Sequence, residues 1–254
     1  MIIAPIQERN RESVYPADRI GSGSLCVDLV REKSAPSRML RSFRIRPYRE
    51  TDRLAVQTIC CDNAFLGQPI DAIFYDRSLF SAMFVDPYLD HASEWAFVAE
   101  NESGIIGYLT GASSARFLNV QILCCCSVTA KMVANTLAGK YRQHNRSRQF
   151  IRWLLTHAVF ERARRPACAA HLHFNVVRGY RGSSVGYSLW RAFENKLNAT
   201  GQRRYFGEIV SDRPKFIEKV YGRFGFSVYD CRPTSIFEPE HHDVWSICMI
   251  KTDL

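Results

Sequence analysis

Polar and apolar positions alternate most clearly over residues 171–177. There His171, His173 and Asn175 interleave with Leu172, Phe174 and Val176. A period of two sends the two sets to opposite faces of a strand. The period then lengthens: Val185, Leu189, Phe193 and Leu197 fall four apart, one stripe of a helix, and Gly201 offers its stop. Residues 205–210 read as a strand, 215–224 as a short helix ended by Gly225, and 226–230 and 244–251 as late strands. Upstream, 42–46 is strand-like. Thr51 or Asp52 then caps a helix running to about Ala64, with Val56, Ile59, Cys60 and Asn63 on one stripe. Two helical stretches lie around 74–84. Residues 95–100 and 104–111 are strand-like and joined by a polar turn of hairpin length at Asn101–Gly104, and 113–166 reads as helical. The order predicts an α/β fold built on a mixed (α+β) sheet, with a strand–helix–strand crossover in its second half.

Residues 1–40 contain Gly21-Ser22-Gly23-Ser24 and show no sustained period. They read as an extension with one short strand at 25–30, ahead of a domain over 41–254 interrupted at about 113–166. With 254 residues the chain is long enough to bury about 70–75% of its unfolded surface. Hydrophobic residues make up 46% of it, which excludes a disordered tail protein. No uninterrupted apolar run exceeds five residues, whereas a spanning helix needs about twenty mostly apolar ones, so no membrane partner is expected. The first residues turn polar too early for a signal peptide, and 1–40 carry five acids, unlike a transit peptide. A cytoplasmic protein is the expectation. The nine cysteines include the adjacent runs Cys60-Cys61 and Cys124-Cys125-Cys126 but no CxxC pair, so they read as small hydrophobes.

Charge changes the picture locally. The net charge is +9, and residues 131–165 alone hold two Lys, seven Arg and one Glu. This insert, with Tyr141, Phe150 and Trp153 among its arginines, would suit nucleic acid. A solvated basic face, or one attracting an acidic substrate, is the commoner explanation. Glu238, Glu240, His241, His242 and Asp243 cluster late in the chain. Adjacent histidines point opposite ways and no cysteine pattern joins them, so an exposed loop and no metal are expected.

The segment that carries chemistry joins the His-rich strand to the following helix: Arg181-Gly182-Ser183-Ser184-Val185-Gly186. First-turn amides lack intrahelical partners and sit at the positive end of the helix dipole. Small residues there let an anion approach the backbone. The segment is neither a Walker loop nor a dinucleotide GxGxxG motif. It resembles the R/Q-x-x-G-x-G/A signature of the GCN5-related N-acetyltransferases (GNAT), with Ser184 replacing the middle glycine. Residues 44–60 look like that family's first strand and helix, 95–112 like its second and third strands, and 220–226 like its late F-Y-x-x-x-G-F helix end.

The resemblance implies a GNAT-like acyl-CoA N-acyltransferase fold with a helical basic insert, with acetyl-CoA as co-substrate and no metal. An amine acceptor, on a small molecule or protein, would attack the thioester directly in a ternary complex. The pyrophosphate would sit on the backbone of Arg181, Gly182, Ser183, Ser184, Val185 and Gly186. The pantetheine arm would bond backbone at Asn175, Val176 and Val177, with an amide near Val176 facing the oxyanion. Tyr221 occupies the position of the thiolate's proton donor, or is a core tyrosine. His173 and Glu208 are the candidate bases. The alternatives are a half-buried histidine bonded to backbone (as also for His171), a solvated carboxylate, and a water relay. Phe74, Tyr75, Phe84 and Tyr88 suit a substrate wall or core packing equally. Two other readings stand beside the enzyme: a nucleic-acid- or ribosome-associated GNAT module using the insert, and a GNAT that binds CoA without catalysis. A homodimer is compatible with all three.

Overall fold

The computed structural model describes residues 42–167 and 170–252. The extension and the strand expected at 25–30 lie outside these residues. Seven strands form one sheet: β1 (Arg44–Pro47), β2 (Phe97–Asn101), β3 (Gly104–Ala112), β4 (Ala170–Val176), β5 (Tyr205–Ser211), β6 (Ser227–Pro233) and β7 (Trp245–Lys251). The helices are α1 (Arg53–Asn63), α2 (Arg77–Phe84), α3 (Asp86–His91), α4 (Ala115–Leu137), α5 (Asn145–Thr156), α6 (Ala158–Glu161), α7 (Val185–Ala199) and α8 (Pro214–Gly222). The strand order is β1-β2-β3-β4-β5-β7-β6. Every neighbouring pair is antiparallel except β4–β5. A parallel pair needs a long crossover, which α7 supplies.

Local chemistry fixes the element ends. Gly104, Gly201 and Gly225, at the hairpin and after α7 and α8, all have positive φ. Asp52 precedes α1, but its carboxylate accepts from the Arg49 amide (2.8 Å) and from both terminal nitrogens of Arg46 (2.7 and 2.8 Å). The Arg46 guanidinium holds that carboxyl below the usual carboxylate range. This ties β1 to α1, whose stripe of Val56, Ile59, Cys60 and Asn63 is buried as expected.

The core has two main parts. One joins α1 and α2 to the insert through Phe74, Phe80, Tyr141, Phe150 and Phe237. The other packs α7 on the sheet through Leu189, Trp190 and Phe193. Phe74 and Tyr88 are buried, and Tyr75 stacks on His144 at 4.0 Å, so packing accounts for the supposed substrate wall. Tyr141 and Phe150 are equally buried, which removes them as base-stacking platforms.

The loop expected at Glu238–Asp243 is present: Glu238, Glu240, His242 and Asp243 are exposed and His241 is half-buried. The residues just ahead of it are anchored. Ile236 and Phe237 are buried, and Phe237 meets the Phe65 ring at 5.0 Å. Glu161 accepts from Trp153 Nε1, Thr234 Oγ1 and the amide and hydroxyl of Ser235, clasping this segment to the insert. Its acidic and histidine side chains gather no metal group, and none forms among the described residues. One expectation is corrected at α4, which is long and apolar enough, by length and composition, to cross a bilayer. Counting uninterrupted runs missed it, because Ser, Thr, Asn and Gln break the runs while Arg116 and Lys131 are the only charges.

Glycines in β3 let α7 sit close. A Cβ on Gly111 would lie 2.4 Å from the Phe193 ring and 2.8 Å from the His171 carbonyl. Backbone and a buried ring cannot yield cheaply. Gly111→Ala is therefore expected to cost about 1–3 kcal/mol by overpacking. Gly139→Ala meets nothing within 4 Å and strains only its positive φ. Urea unfolding of the two variants measures the difference.

Candidate functional site

β4 and β5 bond to each other only across Ala170–Leu172 and Tyr205–Gly207. β4 then continues along β3 as far as Val176 opposite Gly107, and β5 continues along β7 as far as Ser211 opposite Trp245. The middle of the sheet thus forks. From the β4 side of the fork the chain enters a short turn, Arg178–Tyr180, and then α7.

The turn is shaped by its residue types. Gly182 has φ +71, a left-handed conformation that side chains resist, and a Cβ there would meet nothing within 4 Å. Ser184, the position where the signature has glycine, has φ −71 and ψ −6. Serine adopts that right-handed conformation without strain, so the substitution leaves the backbone intact. The first helical bond of α7 runs from the Ser188 amide to the Ser184 carbonyl at 2.8 Å. Ahead of it, the Val185 amide has a long contact to Ser183 Oγ at 3.4 Å. Among the described residues, no protein acceptor takes the amides of Gly182, Ser184, Gly186 or Tyr187. Four N–H groups at the positive end of a fifteen-residue helix therefore remain for an anion.

Arg181 turns away from this opening. Its guanidinium bonds the Val176 carbonyl (3.3 Å), the Gly67 carbonyl (2.8 Å) and the Asn63 side-chain oxygen. Burial, and then the charge of Arg178, lower its pKa. Its side chain acts as a strut between the turn and the end of α1, leaving its backbone in the motif. Val177, expected to bond a pantetheine arm, is spent within the protein. Its amide donates to the Ile106 carbonyl (2.9 Å), and its carbonyl accepts from the Tyr180 amide (2.8 Å).

One face of β4 carries a buried polar row. His171 stacks on Phe206 at 5.3 Å and is flanked by Tyr88 and Phe117. His173 Nε2 lies 3.2 Å from the Asn175 amide nitrogen, which also donates to the Tyr108 hydroxyl at 3.0 Å. Burial pushes the His173 pKa well below its usual value, so the ring is neutral at pH 7. Tyr108 in turn bonds the Cys60 thiol, whose pKa burial pushes up to about 11.

Glu208 is two residues from Phe206 on β5 and therefore shares this face. It is buried, not solvated. Arg162 holds both its oxygens (2.6 and 2.7 Å), and Arg165 donates to one of them (2.8 and 3.1 Å). Burial alone would raise its pKa, but the Arg162 charge overrides that and keeps the carboxyl below its usual range. The chain of bonds runs on from Arg165 through Gln121 to the Tyr88 hydroxyl. Period-two alternation placed His171, His173 and Asn175 on this face. The two arginines were invisible, because only folding brings the insert's end back to β5.

Tyr221 sits apart from this row. It packs in the apolar cluster of α7, with Phe226 edge-on at 6.0 Å. Among the described residues its hydroxyl has no hydrogen-bond partner, and no bond or ring contact joins it to His173 or Glu208. Burial pushes its pKa up, so the phenol stays protonated at neutral pH.

No family model matches the chain, and no curated protein does. Solved structures do. SsHAT aligns at a TM-score of 0.53 and 23% identity, covering 83% of this chain and 98% of that one. A GCN5-related N-acetyltransferase from Kribbella flavida aligns at 0.49 and 15%, covering 83% and 97%. With the forked mixed sheet, the four-amide turn and this likeness in view, the chain has the GNAT acyltransferase fold.

Proposed function

We propose that the chain is an acyl-CoA-dependent N-acyltransferase that moves an acetyl group from acetyl-CoA to a primary amine. The observation that carries this is the set of four amides without a protein acceptor, opening from the turn where β4 leaves β5. A diphosphate fits such a cradle because it needs several convergent N–H donors and small side chains around them. Gly182, Ser184 and Gly186 provide both, Tyr187 adds the fourth amide, and Ser183, whose own amide is bonded to the Tyr180 carbonyl, adds only a small side chain. Acetyl-CoA, when bound, supplies an acyl group already activated as a thioester.

The remaining roles fall to this chain's own groups. Tyr221 keeps its proton at neutral pH and holds it on an oxygen with no competing partner among the described residues, the state required of a donor to a departing thiolate. His173, neutral at pH 7, is the base candidate on the polar face. We assign Glu208 to a structural task. A carboxylate already bonded by two guanidiniums has little affinity for a substrate proton, and these bonds fasten the insert to the sheet. The binding-only reading was motivated by Ser184, and its unstrained backbone removes that motive.

Three outcomes are expected. Ser184→Asp puts a negative charge at the helix N-terminus, which should leave stability unchanged or raise it by about 0.3–1 kcal/mol. The same charge should abolish the thermal shift that acetyl-CoA gives, about 2.7 kcal/mol at 100 times its dissociation constant. A full shift in that variant would place the diphosphate elsewhere.

Tyr221→Phe should lower kcat by about a hundredfold with KM little changed. Thiol release over a panel of amines reads this out, and an unaltered rate would leave CoA binding without the assigned donor.

Glu208→Gln should destabilise the fold by about 3–5 kcal/mol, because two guanidiniums lose their counter-charge. Since the native pKa is depressed, this contribution is complete above about pH 4.3 and is lost as pH falls through the native value. Urea midpoints measured against pH should show a shallower acid limb in the variant.

A further inference from the structure

Between Glu102 and Glu161 the sequence contains no acidic residue, and it holds Arg116, Lys131, Lys140, Arg142, Arg146, Arg148 and Arg152. Lys140 pairs with Asp76 and Arg146 with Glu240. The other five form no ion pair among the described residues, and all five are exposed. The same segment contains α4. That helix buries Phe117, Val128 and Met132 against the body of the protein. Only 17% of its most apolar stretch is buried.

The outward stripe of α4 recurs every three or four residues: Asn119, Ile122, Leu123, Cys126, Ala130, Ala134 and Leu137. Ile122, Leu123 and Leu137 are 56, 69 and 83% exposed, and Arg116 and Lys131 lie along the same side. Beyond α4, Leu155, Val159 and Phe160 are also exposed, close in sequence to Arg148 and Arg152. Large apolar side chains held in water beside unpaired cations, over a stretch without one carboxylate, describe a partner that is both apolar and negatively charged.

We propose that α4 and the basic segment after it form a docking surface for an anionic lipid bilayer, with α4 lying in the interface plane rather than spanning. Its buried side is committed to the core, so only the outer stripe enters the lipid. This replaces the expectation of no membrane partner. A second copy of the chain fits less well, since it would bring like charges together. Single-stranded nucleic acid would answer the cations and could stack on the exposed Phe160, but it leaves the aliphatic stripe of Ile122, Leu123 and Leu137 in water, and Tyr141 and Phe150 are buried.

The test is flotation of the full chain with vesicles of phosphatidylcholine alone and with about 30% phosphatidylserine added. The protein should rise with the anionic vesicles, not with the neutral ones, and salt should weaken binding. Leu123→Asp should lower the partition about tenfold or more. Lys131→Glu and Arg148→Glu should each lower it about fivefold or more. Leu137→Asp serves as a second apolar variant, and unchanged melting temperatures show that the variants fold. Absence of binding to anionic vesicles at low salt, or a Leu123→Asp protein that floats like the parent, overturns the proposal. So does a lipid-free dimer that Leu123→Asp dissolves, or a tight complex with single-stranded RNA that it leaves intact while vesicles are ignored.

Discussion

The parting of β4 from β5 after three residues governs the rest of the molecule. Two parallel strands hold together only while neither is drawn elsewhere. Here β3 keeps β4 and β7 keeps β5. The fork is therefore stable without any ligand, since each strand retains a full antiparallel partner on its outer side. Because α7 starts at the end of the strand that leaves, its N-terminal amides come to the rim of the opening. Sheet pairing thus sets four N–H groups without a protein acceptor at the rim of the fork, at the positive end of the helix dipole, where the proposed diphosphate would need no charged side chain.

Charge in this protein serves a different end. Glu208 and Asp76, two acids from outside the insert, reach into its basic sequence, while Glu161 reaches out of it. Lys140, Arg162 and Arg165 are tethers on this account, and the insert stays seated on the sheet because of them. What a sequence reader counts as one basic block divides in space. Part of it is neutralised within the protein, and the remainder faces outward.

Period and turn chemistry made much of the fold legible. The His171–Val176 alternation gave β4 and its two faces, the four-residue spacing from Val185 gave α7, and small residues between them gave the turn. Boundaries moved by one to three residues, as at the end of β6 and at the end of α8, where the last turn leads into Gly225. The site was legible in its backbone and less so in its side chains. Arg181 entered the site through the likeness of residues 181–186 to the signature, and nothing local signals that Asn63 and Gly67 fold back to claim its side chain. Glu208 looked solvated because its two partners lie more than forty positions away. Contacts made across the chain leave no periodic trace.

The Arg181 strut has a mechanical corollary. One side chain grips three oxygens, two of them on the segment that closes α1 and one on the strand that leads into the turn. The lip of the cradle is thereby pinned to a point 118 positions upstream. Any tilt of α1 pulls on that lip directly, bypassing the sheet, so the helix nearest the start of the domain sets how wide the opposite rim stands.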